Sequence, residues 1–271
     1  MSVLVRTWNL FHGNTKPPQR RAFLEQMVRL ATEDEPDVVC LQEVPPWAAE
    51  RLDDWSGMTA FVDVAARPSF GPLPSTAEVG RRLTSLNHGL LRSGFSGQAN
   101  ALLVRPGLAP RDHDVLVLNP RRFRRQQARW LGLGVAARLA WSKERRVCQA
   151  VRVRLEGGRP ALVGNLHATS YPRDERLADA ELLRAAAFLD ALAAPEETCV
   201  LAGDFNVRAE RSRTLAELAT AEWGFSAPGP GIDQVLVRGV EASAPVRWPD
   251  ERRRLDGRLL SDHAPVDVRI G

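Results

Sequence analysis

Short apolar runs divided by turn residues set the rhythm of this chain. Val3-Leu4-Val5, Val38-Val39-Cys40-Leu41, Ala101-Leu102-Leu103-Val104 and Cys199-Val200-Leu201-Ala202 are too short for buried helices and read as buried strands. They centre predicted strands at Ser2–Thr7, Asp37–Val44, Gln98–Arg105 and Thr198–Ala202. Further strands are predicted at Phe61–Ala65, Asp114–Leu118, Ala161–Leu166, Ile232–Val237 and Val266–Ile270. Arg145–Leu155 alternates, with Val147, Gln149, Val151 and Val153 on one face, and Gly157-Gly158 turns it into the strand that follows. Helical spacing marks Gln19–Thr32 (Phe23, Met27, Leu30, Ala31) and Asp174–Ala194 (Leu177, Leu182, Leu183, Ala186, Leu189). Helices are also predicted over Ala77–Leu91 and Ser212–Thr220, and Pro45-Pro46 opens a short one through Leu52. With no repeat and no linker, the pattern predicts one α/β domain over residues 1–271, strands outnumbering helices.

Polar residues recur where the apolar strands end. Asn9, Glu43, His167, Asp204, Asn206, Asp233, Asp262 and His263 come from six separate segments, which independent turn residues explain poorly. An acid such as Glu43 at the lip of an apolar run is costly unless it is paired or binds a cation. Gly203 breaks the run before Asp204, and strand alternation would send Asp204 and Asn206 out side by side with Phe205 turned inward. Carboxylates and amides without cysteine make a hard-oxygen set, suited to Mg²⁺ or Mn²⁺ rather than zinc. Histidines beside them can move protons, and a neighbouring carboxylate can hold an imidazole tautomer. Together these groups suit hydrolysis of a phosphate ester.

Composition narrows the picture only a little. At 44% apolar and 26% charged, the 271 residues are ordinary for a globular protein. The net charge of +4 is weak evidence for a polyanionic partner, because 35 of 37 basic residues are arginine, as a GC-rich genome produces. Local clustering is stronger evidence: Arg121–Arg129 holds five arginines and no acid, and residues 121–154 hold eleven basic residues against Glu144 alone. Cys40, Cys148 and Cys199 lie in apolar runs with no CxxC spacing, so buried free thiols are expected. The opening residues lack a signal-peptide pattern, and the longest apolar stretch, Leu131–Trp141, is interrupted by Arg138. A soluble, cytoplasmic protein with no membrane insertion is expected.

Six motifs, in order, carry a family resemblance: Trp8-Asn9, Leu41-Gln42-Glu43-Val44, Asn165-Leu166-His167, Gly203-Asp204-Phe205-Asn206, Ile232-Asp233 and Ser261-Asp262-His263-Ala264-Pro265-Val266. The chain resembles the endonuclease/exonuclease/phosphatase superfamily over residues 8–266. The resemblance implies a four-layer sandwich of two packed, mainly antiparallel sheets flanked by helices, with the site at one edge. It also implies Mg²⁺- or Mn²⁺-dependent phosphoester hydrolysis. By resemblance Glu43 is the main metal ligand, with Asn9 and Asp262 near the same ion. Asp204 orients the attacking water or protonates the leaving group, Asn206 touches the scissile phosphate, and Asp233 orients the catalytic His263. His167 is a second phosphate-binding or acid histidine, and its presence counts against an abasic-site repair role. A partner acid for His167 is expected upstream, and Glu78 lies in that region without aligning to it. Asn100 is a candidate phosphate contact, and Arg145 or Arg146 faces the site by position.

The reading this favours is a metal-dependent nuclease of the deoxyribonuclease-like kind, with the arginine-rich region following DNA or RNA phosphates. The alternative is a phosphodiesterase or phosphatase on a small or lipid phosphate such as sphingomyelin, an inositol phosphate or a nucleotide. A non-catalytic binding protein is the third reading, weakened by the completeness of the motifs.

Overall fold

The computed structural model describes residues 2–70, 73–88 and 97–271. Its main strands are, in chain order, β1 (Val3–Asn9), β2 (Val38–Val44), β3 (Thr59–Ala66), β4 (Gln98–Val104), β5 (Arg111–Val117) and β6 (Val147–Arg154). They continue with β7 (Pro160–His167), β8 (Thr198–Asp204), β9 (Asp233–Arg238), β10 (Val246–Arg247) and β11 (Val266–Ile270). One sheet runs β10-β11-β1-β2-β4-β3 and the other β9-β8-β7-β6-β5. Each sheet holds a single parallel pair, β1 with β2 and β7 with β8; the remaining pairings are antiparallel.

Strand alternation divides the apolar residues into three layers of core. Val5, Val38, Cys40, Leu102 and Val104 meet Val151, Val153, Val163, Val200 and Ala202 between the sheets. Their neighbours Val39, Leu41 and Leu103 face outward under the helix Leu24–Thr32, which buries Leu24, Met27, Val28 and Ala31. On the other side Cys199, Leu201 and Leu162 pack under the helix Arg176–Leu192 through Leu182, Ala186 and Leu189. Both faces of the central strands are covered, which is why their sequences are unbroken apolar runs. The fold is therefore the expected helix–sheet–sheet–helix sandwich.

Element boundaries shift where the local chemistry demands it. The first long helix starts at Leu24 rather than Gln19, because the Phe23 amide donates to Gly13 O in the preceding loop. The helix from Ala77 runs to Leu86, capped by Thr76 on the Val79 amide, and residues 89–91 of its predicted span lie outside the described residues. The arginine-rich stretch forms the helix Arg121–Trp130, followed by another, Val135–Lys143, neither of which the apolar pattern predicts. The three cysteines are free and buried, as expected, and burial pushes the Cys40 thiol well up.

At one end of the sandwich the two sheets are tied by buried amides. Gln42 Nε2 donates to Asn165 Oδ1 at 2.8 Å and to Thr7 Oγ1 at 3.1 Å. Asn165 Nδ2 in turn donates to Leu41 O and Ala101 O across the interface, at 3.0 and 2.9 Å. Gln149 Nε2 reaches Phe61 O at 3.1 Å, a further crossing of the same kind. Replacing Asn165 by Ala removes the side-chain donor to two carbonyls and one acceptor of the Gln42 amide, so urea unfolding should show a loss of about 1–3 kcal/mol. A loss below about 0.5 kcal/mol would show that the amide tie does not hold the sheets together.

Candidate active site

The parallel pairs place four strand ends on the tied edge. Asn9 sits opposite Gln42 in the β1–β2 register, His167 opposite Asp204 in β7–β8, and Asp204 opposite Asp233 in β8–β9. Asn9 Nδ2 donates to Asp204 Oδ2 at 3.0 Å, joining the two sheets at this edge. The approach of β8 to β7 here requires Gly203: its φ is +140°, and a Cβ would fall 1.9 Å from Leu166 O.

Glu43 reaches the cleft through a break in its strand. The β2–β4 register shifts between Leu41 and Val44, and Glu43 has a φ of +54°. Its carboxylate lies 3.2 Å from His12 Nε2 and 3.9 Å from His167 Nε2. Phe11 (+50°), His12 (+54°), Asn206 (+50°) and Ser261 (+60°) also carry positive φ, so strained backbone concentrates around this cleft. Asn206 corrects the strand-alternation expectation. β8 ends at Asp204, the left-handed Asn206 folds back so that its N–H donates to Asp204 Oδ1 at 3.1 Å, and Asn206 Nδ2 donates to Ala168 O at 3.0 Å. Phe205 is fully buried, as expected.

His263 stands between two carboxylates. Its Nδ1 lies 2.9 Å from Asp233 Oδ1, and its Nε2 is 3.9 Å from Asp204 Oδ2. Burial works against a charge on His263, but the Asp204 carboxylate and then Asp233 outweigh it and push the imidazole up to about 10. Burial shifts Asp204 upward against the pull of that cation. The loop is held from below: Arg253 Nη1 donates to Leu260 O, Ser261 O and His263 O, each at 3.0 Å, and Trp8 Nε1 donates to His263 O at 3.0 Å. Ser261 Oγ donates to Asn9 O at 2.7 Å and accepts from the His263 amide at 3.0 Å. Asp262 is exposed beside His263, and its negative charge also favours the imidazolium.

His167 has an arginine where an acid was expected. Arg146 Nη1 lies 3.0 Å from its Nδ1, Arg146 Nη2 pairs with Glu144 at 2.7 Å, and Glu78 is engaged with Arg82 on an exposed helix. Burial, then the Arg146 and His263 charges, hold His167 neutral, well below its ordinary range. Its Nε2 is 3.5 Å from Asp204 Oδ2. Arg146 and Lys143 line a cleft of about 240 Å³ with His12, Glu43 and Thr169. Asn100 Nδ2 donates to Val147 O at 3.1 Å between the sheets, next to Arg146 in the chain. Arg145 donates to Val64 O instead. His12 and Arg253 escaped the sequence reading; a histidine three residues past Asn9 was the available sign of the first, and nothing local marks the second.

The donor chemistry fits a hard divalent cation. Ligand atoms of Asp204, Asp233 and His263 lie within 4.8 Å of one another, and Glu43 adds a carboxylate 3.9 Å from His167, which itself lies 3.5 Å from Asp204. Crowded carboxylates of one sign repel, and a divalent ion relieves that repulsion.

Comparison with known proteins agrees with the fold and gives the family. The profile of the Endonuclease/Exonuclease/phosphatase family matches residues 7–263, so the chain belongs to this family of metal-dependent phosphoester hydrolases. No curated protein matches the sequence. Among solved structures, an endonuclease/exonuclease/phosphatase from Beutenbergia cavernae is 18% identical, with a TM-score of 0.65 over 100% of this chain and 72% of that one. The human Nocturnin catalytic domain with bound sulfate superposes with a TM-score of 0.67 at 13% identity, covering 100% and 93%. A humanized D. rerio TDP2 gives 0.64 at 15%, covering 100% and 99%. At these identities the likeness is one of fold.

In metal-free protein, a raised histidine contributes stability that is complete below its unfolded value of about 6.5 and disappears as pH rises through its folded value. The His263 contribution is thus lost between about pH 6.5 and about 10. Asp233→Asn should lower the His263 titration followed by NMR and flatten the fall in urea stability across that window. An unchanged titration would remove Asp233 as its partner.

Proposed function

We propose that the chain is a Mg²⁺- or Mn²⁺-dependent phosphodiesterase acting on nucleic acid, its catalytic groups carried by one domain spanning residues 1–271. The observation that carries hydrolysis is the Asp233–His263–Asp204 sequence of contacts, continued through His167 to Glu43. The observation favouring nucleic acid is the arginine helix, Arg121–Trp130, which leads into the helix whose Lys143 lines that cleft. The sulfate held by the Nocturnin domain is a tetrahedral oxyanion like phosphate, and is consistent with this reading.

The residues take complementary roles. Glu43 would hold the cation, with Asn9 and Asp262 as further candidate ligands, and the ion would supply charge neutralisation at the phosphate. Asp204, buried and fixed by the Asn9 amide, orients the attacking water and takes up its proton. His263 donates from Nε2 to a phosphate oxygen, with Asp233 on Nδ1 setting the ring orientation. His167, kept neutral, offers a hydrogen bond rather than a charge. Asn206 keeps its second amide hydrogen for the phosphate after bonding Ala168. Asn100 serves the reaction indirectly, through the strand that shapes the cleft.

Turnover of bis-p-nitrophenyl phosphate should require Mg²⁺ or Mn²⁺ and stop with EDTA. Glu43→Ala and His263→Ala should each lower kcat by about 10²-fold or more. Wild-type rates in either variant would remove that residue from the chemistry. Supercoiled plasmid should be nicked, with a rate that falls steeply with salt. Activity confined to inositol phosphates or sphingomyelin would transfer the assignment to a small or lipid phosphate.

A further inference from the structure

The arginine helix carries a charge arrangement that the fold itself leaves unneutralised. Arg121, Arg122, Arg125 and Arg129 are exposed and, among the described residues, make no ion pair and no side-chain hydrogen bond. Several arginines elsewhere are paired, among them Arg6 with Asp34 and Asp267, Arg152 with Glu197 and Asp112, and Arg208 and Arg211 with Glu175; what sets this helix apart is that four unpaired ones crowd into nine residues. Arg121, Arg125 and Arg129 follow one another at four-residue steps on one face, a like-charge spacing that destabilises a helix. Arg121 and Arg122 also occupy its first turn, where the helix dipole favours acids. A polyanionic partner relieves both costs.

Shape and apolar exposure specify which polyanion. Arg121, Arg124, Arg125, Arg129 and Arg138 line a groove of about 600 Å³ whose wall includes Trp141. A flat bilayer cannot follow a concave groove, whereas an extended strand can, and arginines four residues apart stand about 6 Å apart along the axis, comparable to the step between phosphates. Trp130 follows Arg129, about 100° round the helix from the row, and is 81% exposed, the most exposed large apolar side chain among the described residues. An indole beside a row of cations suits a base stacked beside its backbone. The second helix connects groove and cleft, since Trp141 and Ser142 line the groove while Ala140 and Lys143 line the cleft with Glu43.

We propose that the paired helices Arg121–Trp130 and Val135–Lys143 form a docking surface for single-stranded nucleic acid. The arginines track the phosphates, Trp130 stacks a base, and the strand crosses the second helix to the cleft. This deepens the nucleic-acid reading and rests on it for the identity of the scissile bond.

Fluorescence anisotropy of a labelled 12-nucleotide DNA strand, with and without its complement, tests the surface in the presence of Ca²⁺ to slow cleavage. Arg121→Gln/Arg125→Gln should weaken strand binding about tenfold or more and reduce its salt dependence. Trp130→Ala should weaken it about tenfold with the salt slope retained. Both should keep wild-type turnover of bis-p-nitrophenyl phosphate and wild-type circular dichroism, and the duplex should bind more weakly than the strand. Unchanged strand affinity in both variants, or a duplex bound as tightly as the strand, would overturn the proposal. So would Trp130-dependent sedimentation with anionic phosphatidylserine vesicles alongside unaltered strand binding, or Trp130-dependent self-association. Unchanged affinity with intact DNA cleavage refutes the docking surface alone. Arginine- and tryptophan-dependent strand binding without cleavage of any nucleic acid supports the surface and refutes the nuclease reading.

Discussion

The interaction on which the site depends is the buried amide tie between the sheets. Two β-sheets packed through Val and Leu side chains can slide, because apolar contact is non-directional. Gln42, Asn165 and Gln149 replace that freedom with hydrogen bonds of fixed geometry in a low-dielectric interior, where an unmade bond is expensive. Their location near the candidate site matters. One register aligns Asn9 and Glu43 of the first sheet with His167 and Asp204 of the second, and the Asn9–Asp204 contact continues the tie into the cleft.

Around that alignment, strain and charge are arranged in balance. Glu43, His12, Asn206 and Ser261 all hold left-handed backbone, which re-aims side chains that regular strand geometry would have sent elsewhere. Buried groups then hold the strained loops in place: Arg253 gathers three carbonyls of the segment that carries His263, and Ser261 links that segment to Asn9. The two histidines are driven in opposite directions by their neighbours. Carboxylates keep His263 charged, whereas burial and Arg146 keep His167 neutral. Asp204 thereby has a cationic imidazole on one side and an uncharged one on the other, a difference set by environment and not by residue type.

Much of this was legible in the chain. Apolar runs of four located the central strands because strands covered on both faces need no alternation, and polar residues at their ends marked Asn9, Glu43, His167, Asp204, Asp233 and His263. Alternation failed at Asn206, where the strand had already ended and the backbone had turned left-handed. Glu78 was an acid in the right region of sequence but lies on an exposed helix against Arg82, and Arg146 fills the place beside His167. The helix Arg121–Trp130 was invisible to apolar periodicity because so little of it is buried; Ala128 and Phe123 suffice to seat it on Trp141.

The sequence by itself determined an α/β pattern of buried strands with polar residues at their ends, since these follow from local periodicity, and its six motifs carried the resemblance that implied the family and the two-sheet sandwich. Only the tertiary structure decided which groups meet: His12 with Glu43, Arg146 with His167, Arg253 beneath the His263 loop, and the unpaired arginines in a groove leading to the cleft. These pairings join residues far apart in the chain. Their energies arise from burial and distance across packed sheets, quantities that no local pattern of hydrophobic and polar positions contains.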